Sequence, residues 1–220
     1  EIEEKKLVSN IDWNIPSAVI NDKPEQKSIS SKSKSESTEK NNTSNNLNNI
    51  YTDFSKKMEL HRLPKWEDLP EIDLYMDQVI VLMEKYLSDL TTNDDNKLIT
   101  PSMINNYVKL NIMPAPIKKK YSREHIAYLV IICSLKQVMP IPQIKELINL
   151  KLKTCSIEEL LNNFSNLYQT TFSEVIKSSN TFLNDNENSF LDTALFLAIA
   201  SSNSRLMSES ILKMYENNKK

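Results

Sequence analysis

The stretch Leu98-Ile-Thr-Pro-Ser-Met-Ile-Asn-Asn-Tyr-Val-Lys-Leu-Asn-Ile-Met-Pro-Ala-Pro-Ile-Lys-Lys-Lys-Tyr-Ser-Arg-Glu-His125 decides the fold. Thr100 suits an N-cap, and Pro101 then occupies the first helical position, where its missing N–H costs nothing. Met103, Ile104, Tyr107 and Val108 recur at helical spacing on one face. Ser102, Asn105, Asn106 and Lys109 fall on the other. Asn111 stands where a left-handed C-terminal cap is needed, a conformation Asn tolerates. Pro114 and Pro116 end any helix. A basic extended segment follows, and Ser122 opens a second helix. Capped short helix, Pro-bounded stop, basic segment and second capped helix form the order of a winged helix-turn-helix.

The polar face carries the functional expectation. An Asn side chain pairs bidentately with adenine N6 and N7, so Asn105 and Asn106, with Ser102 beside them, suit contacts to base edges in the major groove. Lys109, Lys118, Lys119, Lys120, Tyr121 and Arg123 are the expected phosphate contacts, because cations at that offset sit over the backbone when the helix enters the groove. Asn105 is expected nearer the centre of the exposed arc and Asn106 nearer its edge. The plainer alternative for a polar face and a lysine run is a solvated helix and a solvated loop.

These residues carry a resemblance. Thr100–Leu147 resembles the MerR-type winged-helix domain. Tyr121-Ser-Arg-Glu-His-Ile126 is similar to the helix start after the wing in that family, and Ile141-Pro-Gln-Ile-Lys-Glu-Leu147 to the short helix that follows. A closer resemblance runs from Leu63 to Ile148. Leu63-Pro-Lys-Trp-Glu-Asp-Leu-Pro-Glu-Ile-Asp-Leu-Tyr-Met-Asp-Gln78, Met103–Lys109 and Lys118–His125 look like the bacterial family named domain of unknown function eighteen-thirty-six. That resemblance implies a helix-turn-helix regulator. The first helix of the motif would be Asp73–Leu87. The wing lacks the Gly that commonly turns one, so a short loop is expected in place of a hairpin.

Composition bounds the chemistry. The chain has 220 residues, a net charge of −2 and no Gly. An average protein has about one Gly in fourteen residues. With Asn, Lys, Ile and Ser abundant, this points to an AT-rich genome of bacterial type. A Walker A loop, a Rossmann fingerprint and a Gly-x-Ser-x-Gly elbow all need Gly for close backbone approach or a strained turn, so none is present. His61 and His125 are the two histidines, without metal-ligand spacing, and no metal or other cofactor is expected. Cys133 lies in an apolar run and reads as core, and Cys155 precedes a helix start. Unpaired cysteines suit a reducing cytoplasm. The longest apolar runs are too short to span a bilayer. All charges from Lys97 to Arg123 are positive, a local basic footprint on a mildly acidic chain.

The expected organisation is all-α. Residues 1–50 form a polar, disordered arm, within which Leu7–Ile20 carries Ile11, Trp13, Ile15, Val19 and Ile20 and could dock on a partner or back on the domain. Residues 51–153 form the winged helix-turn-helix domain. Asp68 or Asp73 caps its first helix, running to about Leu90. Residues 154–220 form a helical hairpin opened by the capping box Ser156-Ile-Glu-Glu159. The last helix, apolar nearly all round its centre, is expected to be buried on several sides and to make a homodimer. The expected function is a sequence-specific, cytoplasmic transcriptional regulator binding double-stranded DNA, and not an enzyme. A protein-interaction adaptor using the same fold is the alternative. A hydrophobic effector between the last two helices stays open.

Overall fold

The computed structural model describes residues 36–90, 98–183 and 187–218. They are helical, without a named strand. In order the α-helices are α1 (Glu36–Leu60), α2 (Met76–Leu87), α3 (Pro101–Lys109), α4 (Arg123–Leu135), α5 (Ile141–Lys151), α6 (Ile157–Phe182) and α7 (Glu187–Asn217).

Helix α4 is the hub. His125, Ile126, Ala127 and every residue from Leu129 to Cys133 are buried. A helix apolar on all sides needs neighbours on all sides, and α2, α5 and α6 pack round it. Val79, Met83 and Leu87 of α2, Ile104 and Tyr107 of α3, and Ile144 and Ile148 of α5 enter the same core as Leu160 and Leu161 of α6.

That shared core alters the expected division at residue 153. Ser165 Oγ donates to the Pro64 carbonyl at 2.8 Å, and the Trp66 N–H donates to Asn162 Oδ1 at 2.9 Å. Helix α6 therefore completes the first core instead of starting a second. Its capping box forms as expected: the Glu159 N–H donates to Ser156 Oγ at 3.1 Å, and the Ser156 N–H to Glu159 Oε2 at 2.8 Å.

The last part of the expected arm is helical. Residues 36–50, assigned to a disordered segment, continue helix α1. Tyr51, Ser55 and Met58 lie at helical spacing. Ser55 and Met58 are buried, and the Tyr51 hydroxyl donates to Asn180 Oδ1 at 3.0 Å. Once such contacts nucleate a helix, extending it backwards costs little per residue. Composition registers only the polarity of that extension. The Leu7–Ile20 segment and, of Ser28–Asn49, the part up to Ser35 lie outside the described residues.

Helix α2 starts later than expected. Leu74 pairs with Tyr121 in an antiparallel bridge (N···O 2.9 and 2.8 Å), so the chain is extended where Asp73 would have capped a helix. Gln78 Oε1 instead accepts the Tyr75 N–H at 2.9 Å, and Asp68 caps only the short turn Trp66–Asp68.

Helix α7 departs most from expectation. It contacts α6 and α1, yet Leu191, Leu195, Leu206 and Met214 are well exposed. Two neighbours cover one side of a helix. Among the described residues, nothing covers the outer side shared by Leu191, Leu195 and Leu206.

Candidate nucleic-acid interface

Helix α3 is built as its sequence directs. Thr100 Oγ1 accepts the Met103 N–H at 3.2 Å, and Pro101 follows the cap. At the other end, Asn111 takes φ 53°. Its N–H donates to the Val108 carbonyl at 2.9 Å, and the Ile112 N–H to that of Tyr107 at 3.0 Å. These two bonds make a Schellman closure, which satisfies carbonyls that the helix leaves open.

Two lysines not foreseen as site residues hold this helix. Lys145 of α5 donates to the Leu110 carbonyl at 2.8 Å, and Lys136 after α4 donates to the Leu98 carbonyl. The two ends of α3 are thereby tied to α5 and to the end of α4 by cations on backbone oxygens. A single sequence gives no signal for either, because both pairings are long-range.

The outward face carries Ser102, Asn105, Asn106 and Lys109, all exposed. Ile104 and Tyr107, at 0% and 3% exposure, define the buried direction. At 100° per residue, Ser102 and Lys109 then lie within about 10° of the exposed centre, and Asn105 and Asn106 about 50° to either side. This corrects the expected ranking of the two asparagines. They flank the centre symmetrically, one on each side.

The segment expected to be a wing closes as a minimal hairpin, where a short loop was expected. Ile117 and Lys120 exchange backbone hydrogen bonds of 3.1 and 2.9 Å around Lys118 and Lys119, whose φ angles are 51° and 64°. Two successive residues with positive φ make the turn that matches strand twist, and Asn-Gly normally fills it. Here two lysines do, each at a steric cost because it carries a Cβ. Both are exposed at the tip. Lys120 Nζ lies 5.2 Å from the Tyr75 ring centroid, a cation–π contact at the base.

Two expected phosphate contacts are placed otherwise. Tyr121 is 3% exposed, with its ring edge-to-face on His125 at 5.5 Å, and is a core residue. Burial raises its phenol pKa above the usual value. It points inward because its backbone pairs with Leu74 and because side chains alternate along an extended chain. The Arg123 guanidinium donates to the Leu69 carbonyl at 2.9 Å, lies 5.3 Å from the Trp66 ring centroid and approaches Glu71 at 3.4 Å. It fastens the extended segment before α2 to the start of α4. Ser122 opens α4 with an unforeseen partner: His125 Nδ1 accepts the Ser122 N–H at 3.0 Å.

Of the expected phosphate contacts, Lys109 thus stays on the polar face of α3, and Lys118, Lys119 and Lys120 stand in the hairpin turn. None makes an ion pair with an acid among the described residues. Among those residues there is also no cluster of His, Cys, Asp and Glu placed to hold a metal, and no helix is long and apolar enough to cross a membrane. Burial pushes the Cys133 thiol up to about 12.

Residues 64–171 match the model of the family described as Domain of unknown function (DUF1836). The DUF1836 match begins at Pro64, whose carbonyl accepts from Ser165, and ends at Thr171 within α6. It therefore takes in the core round α4, the α3 face, the Ile117–Lys120 hairpin and more than half of α6, and leaves out α1 and α7. Curated proteins and solved structures yield no match to the chain.

Proposed function

We propose that this protein is a sequence-specific DNA-binding regulator of winged helix-turn-helix type. The feature that carries the reading is a helix face bearing Ser102, Asn105, Asn106 and Lys109, followed along the chain by Lys118, Lys119 and Lys120 in the hairpin turn, cations without acidic partners among the described residues. Helix α3 enters the major groove, the asparagines meet base edges, and the wing lysines meet phosphates. The finer assignment to the MerR type rests on the sequence resemblance alone. Two copies pair through the uncovered outer side of α7 at Leu191, Leu195 and Leu206, so that two α3 helices address two half-sites. The expected compartment is the cytoplasm.

The test is binding of the full chain to a random duplex as a function of salt. Each phosphate neutralised contributes about −0.9 to the slope of log affinity against log salt. Changing Lys118, Lys119 and Lys120 together to Ala lowers the magnitude of that slope by about three such steps. An unchanged slope, or no binding to duplex even at low salt, rejects the reading. The exposed α7 side then favours a protein-interaction adaptor.

A further inference from the structure

Between α5 and the inner side of the second half of α7 runs an open groove of about 1050 Å³. Leu147 and Leu150 form one wall, and Met207, Ile211, Leu212 and Tyr215 the other. Met207 and Ile211 remain 60% and 59% exposed, although they continue the side of α7 that packs on α6 nearer its start. Protein interiors close such gaps to the density of organic crystals. The groove exposes apolar side chains on both walls that an apolar segment could cover.

The chain itself carries such a segment. In Ile11-Asp-Trp-Asn-Ile-Pro16 the apolar residues alternate with Asp12 and Asn14. Period-two alternation makes one apolar edge on an extended chain, and Pro16 biases Ile15 towards the extended region. From Ile11 to Pro16 such a chain covers about 17 Å. The groove wall from Asn203 to Tyr215 covers about 18 Å at 1.5 Å per residue. Ile11, Trp13 and Ile15 recur about every 6.6 Å, and Met207, Ile211 and Tyr215 about every 6 Å along α7. Asp12 is the one charged residue between Leu7 and Ile20, and Lys151 is the one charged residue lining the groove. Nineteen residues separate Pro16 from Glu36, where α1 starts. That length reaches about 65 Å when extended, well beyond a domain with a radius of gyration of about 16 Å.

We propose that Ile11–Pro16 of the same chain lies extended in the groove between α5 and α7, its Ile11, Trp13 and Ile15 against Met207, Ile211 and Tyr215 and its Asp12 beside Lys151. The segment then locks α7 onto α5, the helix whose Lys145 holds α3. A second copy's α7 does not fit this place as well. The side of α7 suited to pairing, with Leu191, Leu195 and Leu206, lies roughly opposite the groove. The inference does not depend on DNA binding.

Disulfide trapping in the full chain tests it. In a Cys155→Ser background, Ile15→Cys is combined with Ile211→Cys in the groove, or with Leu195→Cys on the outer side. The expected result is a disulfide within one chain for the groove pair and none for the outer pair, read by peptide mass. Equal trapping at both positions, or trapping only between chains, overturns the proposal. Acrylamide quenching of Trp13, obtained as the difference between the full chain and its Trp13→Phe variant, gives an independent reading. Severalfold shielding that Ile211→Glu abolishes supports docking in the groove. Trp13 freely quenched in the unaltered groove, or shielded regardless of Ile211→Glu, overturns it.

Discussion

Lys145 Nζ lies 2.8 Å from the Leu110 carbonyl oxygen and joins α5 to the end of α3. The bond places a positive charge on the negative end of the helix dipole and satisfies a carbonyl that the Schellman closure leaves free. Its effect on binding is therefore indirect. Lys145→Met is expected to cost about 1 kcal/mol of stability and to weaken duplex binding, while the salt slope stays as in the parent. Urea unfolding together with binding at several salt concentrations checks this. A slope reduced as in the wing variants would mean that Lys145 itself touches phosphate.

The wing tip separates stability from binding. Lys118 and Lys119 hold positive φ angles that Asn and Gly adopt more readily. The double change Lys118→Asn with Lys119→Gly is expected to raise stability by about 1 kcal/mol and to reduce the salt slope by about two phosphate steps. Chemical denaturation and a salt titration of the same variant measure both. Lower stability would show that the lysines, not the turn geometry, secure the hairpin.

Asn105 and Asn106 flank the centre of the exposed face of α3 and should act alike in kind. Each change to Ala is expected to cost about 1–3 kcal/mol at the preferred site and to relax preference at a different base pair. Binding to a set of single base-pair variants reads this out. Uniform weakening across all sequences for both variants would reduce the face to a backbone clamp.

Asp89 gives the fold a pH dependence. Lys57 lies 2.7 Å from one carboxylate oxygen and His61 Nδ1 3.0 Å from the other. The hydrogen bond from Lys57, helped by its charge and by His61, outweighs desolvation and holds the carboxyl below its usual 3.8. A folded value below the unfolded one stabilises the protein above the unfolded value, and that contribution is lost as pH falls through the folded value. Asp89→Asn is thus expected to lower the melting temperature at neutral pH and to make little difference once the acid form dominates. Melting curves of both proteins from neutral pH down through the carboxylate range decide it. An equal gap at every pH would assign the loss to hydrogen bonding alone.

Local chemistry by itself determined α3, the capping box of α6 and the buried character of α4. Thr100, Pro101, Asn111, Ser156 and Glu159 act on atoms three or four residues away, so their spacing contains the answer. The polar face of α3 followed from the same periodicity. What lay beyond the sequence were choices between remote partners. The pairing of Leu74 with Tyr121 delayed α2 and turned Tyr121 inward, which removed it from the expected phosphate contacts. The contacts of Arg123 with Leu69, Trp66 and Glu71 turned an expected phosphate ligand into a strut. The contacts of Ser55, Met58 and Tyr51 extended α1 through a polar stretch that composition alone assigns to disorder. For α7, apolar residues all round its centre implied burial on several sides, but packing supplied neighbours on one. Which side of a helix is covered depends on how many elements reach it, and that is set by the path of the whole chain.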